Sequence, residues 1–125
     1  MSKALLIMAH GSRSETANDE FRALVEKVAE SAHANGQEYA AVLPCFLELA
    51  KPSLIEAIQQ LDHQPVDTVQ LYPLFFNKGK HVGKDIRFQI DEARERFPEL
   101  RVEQLEYFGS ANGLAAFVLD HLSTL

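Results

Sequence analysis

Four apolar runs alternate with stretches whose apolar residues recur at helical spacing, and this alternation restricts the chain to very few folds. Residues 5–9 are apolar without a break, as in a strand covered on both faces. Phe21, Leu24, Val25, Val28 and Ala32 then mark one stripe of a helix predicted over about 15–35. Ser12 and Glu15 have capping-box spacing at its start, and Gly36 is a suitable stop. A second strand is predicted over 39–47. A second helix opens at Pro52-Ser53, with Ser53 and Glu56 again at capping-box spacing and Leu54, Ile55, Ile58 and Leu61 on its inner side. The third strand lies within 66–76. The third helix runs from about 83 to 97, burying Ile86, Ile90, Ala93 and Phe97, and Pro98 ends it. Residues 102–108 form the fourth strand, and Leu114, Phe117, Val118 and Leu122 belong to a last helix.

The order β-α-β-α-β-α-β-α predicts an α/β fold, a four-stranded parallel sheet with helices on both faces and right-handed crossovers. Pro44 falls inside the second strand, and a residue without an N–H favours a sheet edge or a strand end. A flavodoxin-like order 2-1-3-4 places it at the edge. Pro73 lies in an internal strand of that order, so regular pairing is expected to weaken near Tyr72. At this length residues 1–125 read as a single domain.

Composition narrows the function classes. The net charge of −6 argues against non-specific binding to nucleic acid or to an anionic membrane. One cysteine, Cys45, leaves no internal disulfide framework and fits a reducing, cytoplasmic compartment; a small packed residue is the simplest reading of it. The apolar stretch that follows Met1-Ser2-Lys3 stops at His10, too short for a secretory leader.

Chemistry-bearing residues collect just beyond the predicted strands. His10 opens the segment His10-Gly11-Ser12-Arg13 after the first strand, Glu48 follows the second, and His81 closes Asn77-Lys78-Gly79-Lys80-His81 after the third. The C-terminal ends of parallel strands share one rim, where open α/β sheets bind ligands. Two imidazoles and a carboxylate suit a borderline divalent metal such as Co²⁺, Ni²⁺, Fe²⁺ or Zn²⁺. The helix start near His81 disfavours its imidazolium and keeps the ring available. The same residues also read as a turn histidine, a helix-leading surface histidine and a solvated loop carboxylate. Arg13, Lys78, Lys80, Lys84 and Arg87 make a local basic rim on an acidic chain, which fits either an anionic small ligand or a solvated loop. His33, His63 and His121 read as structural.

Three segments resemble the small sirohydrochlorin chelatases of the class II chelatase superfamily. They are Ala9-His10-Gly11-Ser12-Arg13 with Asn18 downstream, Cys45-Phe46-Leu47-Glu48 followed by Pro52-Ser53, and Tyr72-Pro73-Leu74-Phe75-Phe76 followed by Gly79-Lys80-His81-Val82 and Asp85-Ile86. The resemblance covers essentially the whole chain. It implies a chelatase-like half-module that inserts Co²⁺, Fe²⁺ or Ni²⁺ into sirohydrochlorin, with the metal as substrate and no permanently bound cofactor. The family's two metal-binding histidines fall on His10 and His81, and Glu48 matches an assisting acidic residue of larger relatives. Arg13, Ser12, Lys78, Lys80 and Lys84 are then expected to hold the tetrapyrrole, and a homodimer to supply both walls of the cleft. Arg87 departs from the family, where many members have proline. The alternative is a non-catalytic tetrapyrrole or metal carrier on the same fold.

Overall fold

The computed structural model describes residues 2–125; Met1, where the leader reading begins, lies outside them. Strand β1 (Lys3–Ala9) is central, β2 (Ala41–Phe46) lies at one edge, β3 (Thr68–Pro73) flanks β1 on the other side, and β4 (Arg101–Gln104) closes the sheet. All pairings are parallel and the order is β2-β1-β3-β4, the flavodoxin-like order that sets Pro44 at an edge. Backbone bonds show why the prolines are tolerated. Phe46 donates outward to the Pro52 carbonyl while Leu47 donates inward to Ala9, so alternation turns the nitrogen of Pro44 to the open edge. In β3, Leu74 donates to Met8, whereas the Leu71 carbonyl accepts from Leu105. The nitrogen of Pro73 therefore faces the β4 side, where the ladder has already ended at Leu71 and Gln104.

The uninterrupted apolar run of β1 serves two cores at once. Ala4, Leu6 and Met8 face α2 (Leu54–Gln59) and α3 (Lys80–Arg96), meeting Leu54, Ala57, Ile58, Ile86, Ile90 and Ala93. Leu5 and Ile7 face α1 (Glu15–Ala34) and pack with Val25, Phe21 and Val28. Cys45 is fully buried in the first core, and burial pushes its thiol up, far from thiolate chemistry.

Several boundaries differ from the sequence reading. Ser14, not Ser12, caps α1, its hydroxyl accepting from Ala17 N at 3.4 Å. The Ser12 hydroxyl instead accepts from Ser14 N at 3.0 Å, and the Glu15 carboxylate turns to Arg22 and Asn18. The Ser53–Glu56 capping box forms as predicted, and the Ser53 backbone N–H, bonded to the carboxylate, holds Glu56 below its usual range. Helix α3 starts at Lys80, three residues before Gly83, because Gly79 adopts the cap conformation and Gly83 N already bonds its carbonyl at 3.0 Å. Strand β4 stops at Gln104 rather than 108, and the chain passes through a 3₁₀ turn (Phe108–Ser110). The last helix, α4 (Leu114–Leu122), forms as expected, but none of its residues is buried.

Candidate functional site

The ladder between β1 and β2 runs two residues past the strands. Leu47 N bonds the Ala9 carbonyl at 2.9 Å and Glu48 N bonds the His10 carbonyl at 3.0 Å. Glu48 is thereby carried alongside His10, and His10 Nε2 meets Glu48 Oε2 at 2.6 Å. Both side chains are about half exposed, 50% and 55%, so the pair stands open to a ligand. The edge of the His10 ring lies against Phe75, with centroids 6.3 Å apart.

The close approach of these two strand ends demands glycine at position 11. Gly11 has φ +99°, and a Cβ placed there would sit 1.7 Å from the Glu48 carbonyl oxygen. Leu49, next to Glu48, also takes a left-handed conformation at φ 67°, a cost borne where the backbone aims a functional side chain. Asn18 fixes the loop from the other side. It is 2% exposed, accepts from Ser12 N at 3.0 Å and donates to Ser12 O at 2.8 Å. Substituting Asn18 by leucine leaves both Ser12 backbone groups without that partner; the expected loss is about 1–3 kcal/mol, read as a lower thermal midpoint.

Helix α1 also ties down the second loop. Arg22 donates to Glu15 and Asp19, both at 2.7 Å, and to the Lys51 carbonyl at 2.9 Å, and its guanidinium lies over the Phe46 ring. The Arg22 and Asn18 hydrogen bonds hold the Glu15 carboxyl below its usual range, and Glu15 in turn holds Arg22 up. Sequence reasoning missed Arg22. Its spacing from Asp19 was visible, but its bond to Lys51, 29 residues on, appears only in the fold.

His81 stands apart from the His10–Glu48 pair. It is the second residue of α3, exposed, and makes no side-chain hydrogen bond among the described residues. Among the described residues no three His, Cys, Asp or Glu side chains gather closely enough to hold a metal; the structure brings together two of the three candidate ligands. The four basic candidates, Arg13, Lys78, Lys80 and Lys84, are exposed and have no ion-pair partner among the described residues, while Lys78 lies over the Tyr107 ring at 5.3 Å. No side chain caps the N-terminus of α3, so its first N–H groups lie beside these cations. A concavity of about 400 Å³ lies at the opposite end of the strands, lined by Ser2, Asp67 and Arg101.

A protein-family model described as CbiX matches residues 4–125, nearly the whole chain. The chain belongs to the CbiX family. Among curated proteins, a sirohydrochlorin ferrochelatase of Priestia megaterium is 27% identical over 96% of this chain but only 43% of its own length. A sirohydrochlorin cobaltochelatase of Methanopyrus kandleri is 32% identical over 66% of this chain and 54% of its own. The chain thus spans about half the length of these curated relatives. The crystal structure of a CbiX protein from Marinobacter aquaeolei VT8 superimposes with a TM-score of 0.82 at 26% identity, covering 98% of this chain and 95% of that one.

Proposed function

We propose that this CbiX-family chain inserts a divalent metal into sirohydrochlorin, with Co²⁺ favoured over Fe²⁺ and Ni²⁺, in cobalamin or siroheme biosynthesis. The observation that carries the reading is the half-exposed His10–Glu48 pair at the C-terminal rim of the sheet. The relatives' names, ferrochelatase and cobaltochelatase, support the reaction class. A histidine whose Nε2–H donates a hydrogen bond to a carboxylate presents the lone pair of Nδ1 as a metal ligand. In this scheme Glu48 orients His10, and His10 and His81 hold the arriving metal at the macrocycle face. Two pyrrole N–H protons leave as the metal enters the ring, one to the Glu48 carboxylate or an imidazole, the other to solvent. Holding metal and ring face to face removes much of the entropic cost of their encounter. An open ligand set is an advantage here, since a closed four-ligand site would retain the metal.

The unpaired Arg13, Lys78, Lys80 and Lys84 and the uncapped start of α3 would receive the peripheral carboxylates, with Ser12 beside them. Leu49 and Phe76, exposed large apolar residues next to Glu48 and Phe75, offer surface to a flat ring. One module gives one wall, and a homodimer gives two; the Priestia megaterium relative, of which this chain covers 43%, is roughly twice as long. We read residues 1–125 as one such module acting in the cytoplasm, where the free Cys45 thiol stays reduced, with neither nucleic acid nor membrane as partner. No described helix is long and apolar enough to cross a membrane.

Replacing His10, Glu48 and His81 in turn, and measuring Co²⁺ affinity separately from turnover, tests the roles. His81→Ala should lose at least about tenfold in metal affinity or rate. Normal binding and turnover in that variant would remove His81 from the scheme. A carrier, by contrast, would bind tetrapyrrole and metal without accelerating their union.

A further inference from the structure

Two side chains of α3 reach towards the opposite edges of the sheet. Arg94 donates through Nε and Nη2 to the Val102 carbonyl of β4, at 3.2 and 2.9 Å. Gln89 donates through Nε2 to the Leu47 carbonyl at 3.0 Å. Leu47 lies one residue past β2 and directly precedes Glu48. The two bonds differ in where they act. Val102 is the second residue of β4, far from the C-terminal rim, whereas Leu47 belongs to the rim itself.

Gln89 carries a penalty that Arg94 does not. It is half-buried, and its Oε1 is shut off from solvent with no hydrogen-bond partner among the described residues. A buried amide oxygen left unpaired is destabilising, and such a group in a native fold calls for an explanation. Its neighbours on the inner side of α3, Ile86, Ile90 and Ala93, are all apolar. An apolar residue at position 89 would avoid the orphan oxygen, but the carbonyl of the buried Leu47 would then lose its donor.

Helix geometry relates Gln89 to His81. At about 100° per residue, His81, Asp85 and Gln89 follow one another along one flank of α3, each about 40° round from the last. That flank is turned to the end of β2, since Gln89 reaches Leu47 from it. No side chain caps the start of α3. The apolar packing of Val82, Ile86 and Ile90 is non-directional, whereas a hydrogen bond fixes one atom against another. We propose that Gln89 is a positioning residue: its bond to the Leu47 carbonyl sets the helix that carries His81 against the strand end that carries Glu48, so that His81 and the His10–Glu48 pair meet one metal ion. The inference rests on the roles proposed above for these three residues and names the contact that keeps the two parts of the ligand set in register.

Co²⁺ affinity of the full chain, titrated by absorbance without tetrapyrrole, tests it through pairs of variants. Gln89→Met keeps the length of the side chain and removes the donor. It should weaken Co²⁺ binding about tenfold, the scale on which groups behind a metal ligand act. Arg94→Met removes the other bond of α3 and should lower the thermal midpoint with Co²⁺ affinity unchanged. In a His81→Ala background, Gln89→Met should cost no further affinity, because no imidazole is left to place; such non-additivity marks residues that act together. Gln89→Asn, which keeps the amide but draws it back by one methylene, takes the place of Gln89→Met if that variant does not fold. Native affinity in Gln89→Met overturns the positioning role, as does an equal loss with and without His81 or in Arg94→Met. Each of these outcomes leaves the metal-binding scheme standing as long as His81→Ala alone weakens binding. Native affinity in His81→Ala overturns the scheme, and the positioning role with it.

Discussion

His10→Ala should lower the rate of sirohydrochlorin metalation by roughly 100-fold or more while leaving the fold intact. The magnitude follows from removing a metal ligand and the group to which Glu48 is bonded, contributions that typically amount to 10²–10⁴ in rate. The small structural cost follows from exposure. The His10–Glu48 contact is half solvated, and exposed polar pairs of that kind contribute about 0–1 kcal/mol. Activity and stability should therefore separate, with metalation lost and the thermal midpoint nearly unchanged. A large fall in the midpoint would mean that His10 acts by holding the two strand ends together rather than by chemistry.

Gly11→Ala should show the opposite balance. Its Cβ would lie 1.7 Å from a backbone carbonyl oxygen, a distance that only movement of the main chain can relieve, and φ +99° disfavours any side chain. A cost of roughly 3 kcal/mol or more is expected, which for a domain of this size lowers the midpoint by about 10 °C or more. Separation of the two strand ends would also part His10 from Glu48. Gly36→Ala is the control. That position has φ +73° but nothing within 4 Å of the added Cβ, so only conformational strain of about 1 kcal/mol applies. Equal losses at the two positions would show that backbone conformation, not the approach of Glu48, decides the effect at Gly11.

The parts of the fold that were legible in the sequence are those governed by local rules. The solid apolar run of residues 5–9 announced a strand with two covered faces, and the missing N–H of Pro44 favoured an edge or a strand end, of which the structure shows the edge. The Ser53–Glu56 box could be read because both partners lie within one turn. The first helix cap was misplaced because two serines compete there, and Asn18 holds the Ser12 backbone outside the helix. The third helix began earlier than read because its basic, glycine-flanked first turn resembles a loop in composition.

At the site, parallel topology correctly placed His10 and Glu48 at one rim, since both follow strands paired in register from Ala4 and Ala41 onward. What held them there was hidden. Gly11 against Glu48, Asn18 on Ser12 and Arg22 on Lys51 are contacts between loops and a helix, and their partners become visible only when the sheet sets the loops side by side. The periodicity of α4 likewise announced a helix without revealing that its own sheet leaves it uncovered.

The central claim is that this chain accelerates metal entry into sirohydrochlorin. Its most direct test is the anaerobic absorbance change of sirohydrochlorin with Co²⁺, Fe²⁺ or Ni²⁺, followed with and without the purified full chain. The account predicts a rate above the spontaneous one, greatest with Co²⁺. Tight binding of the tetrapyrrole with no acceleration by any of the three metals would contradict it and leave a carrier.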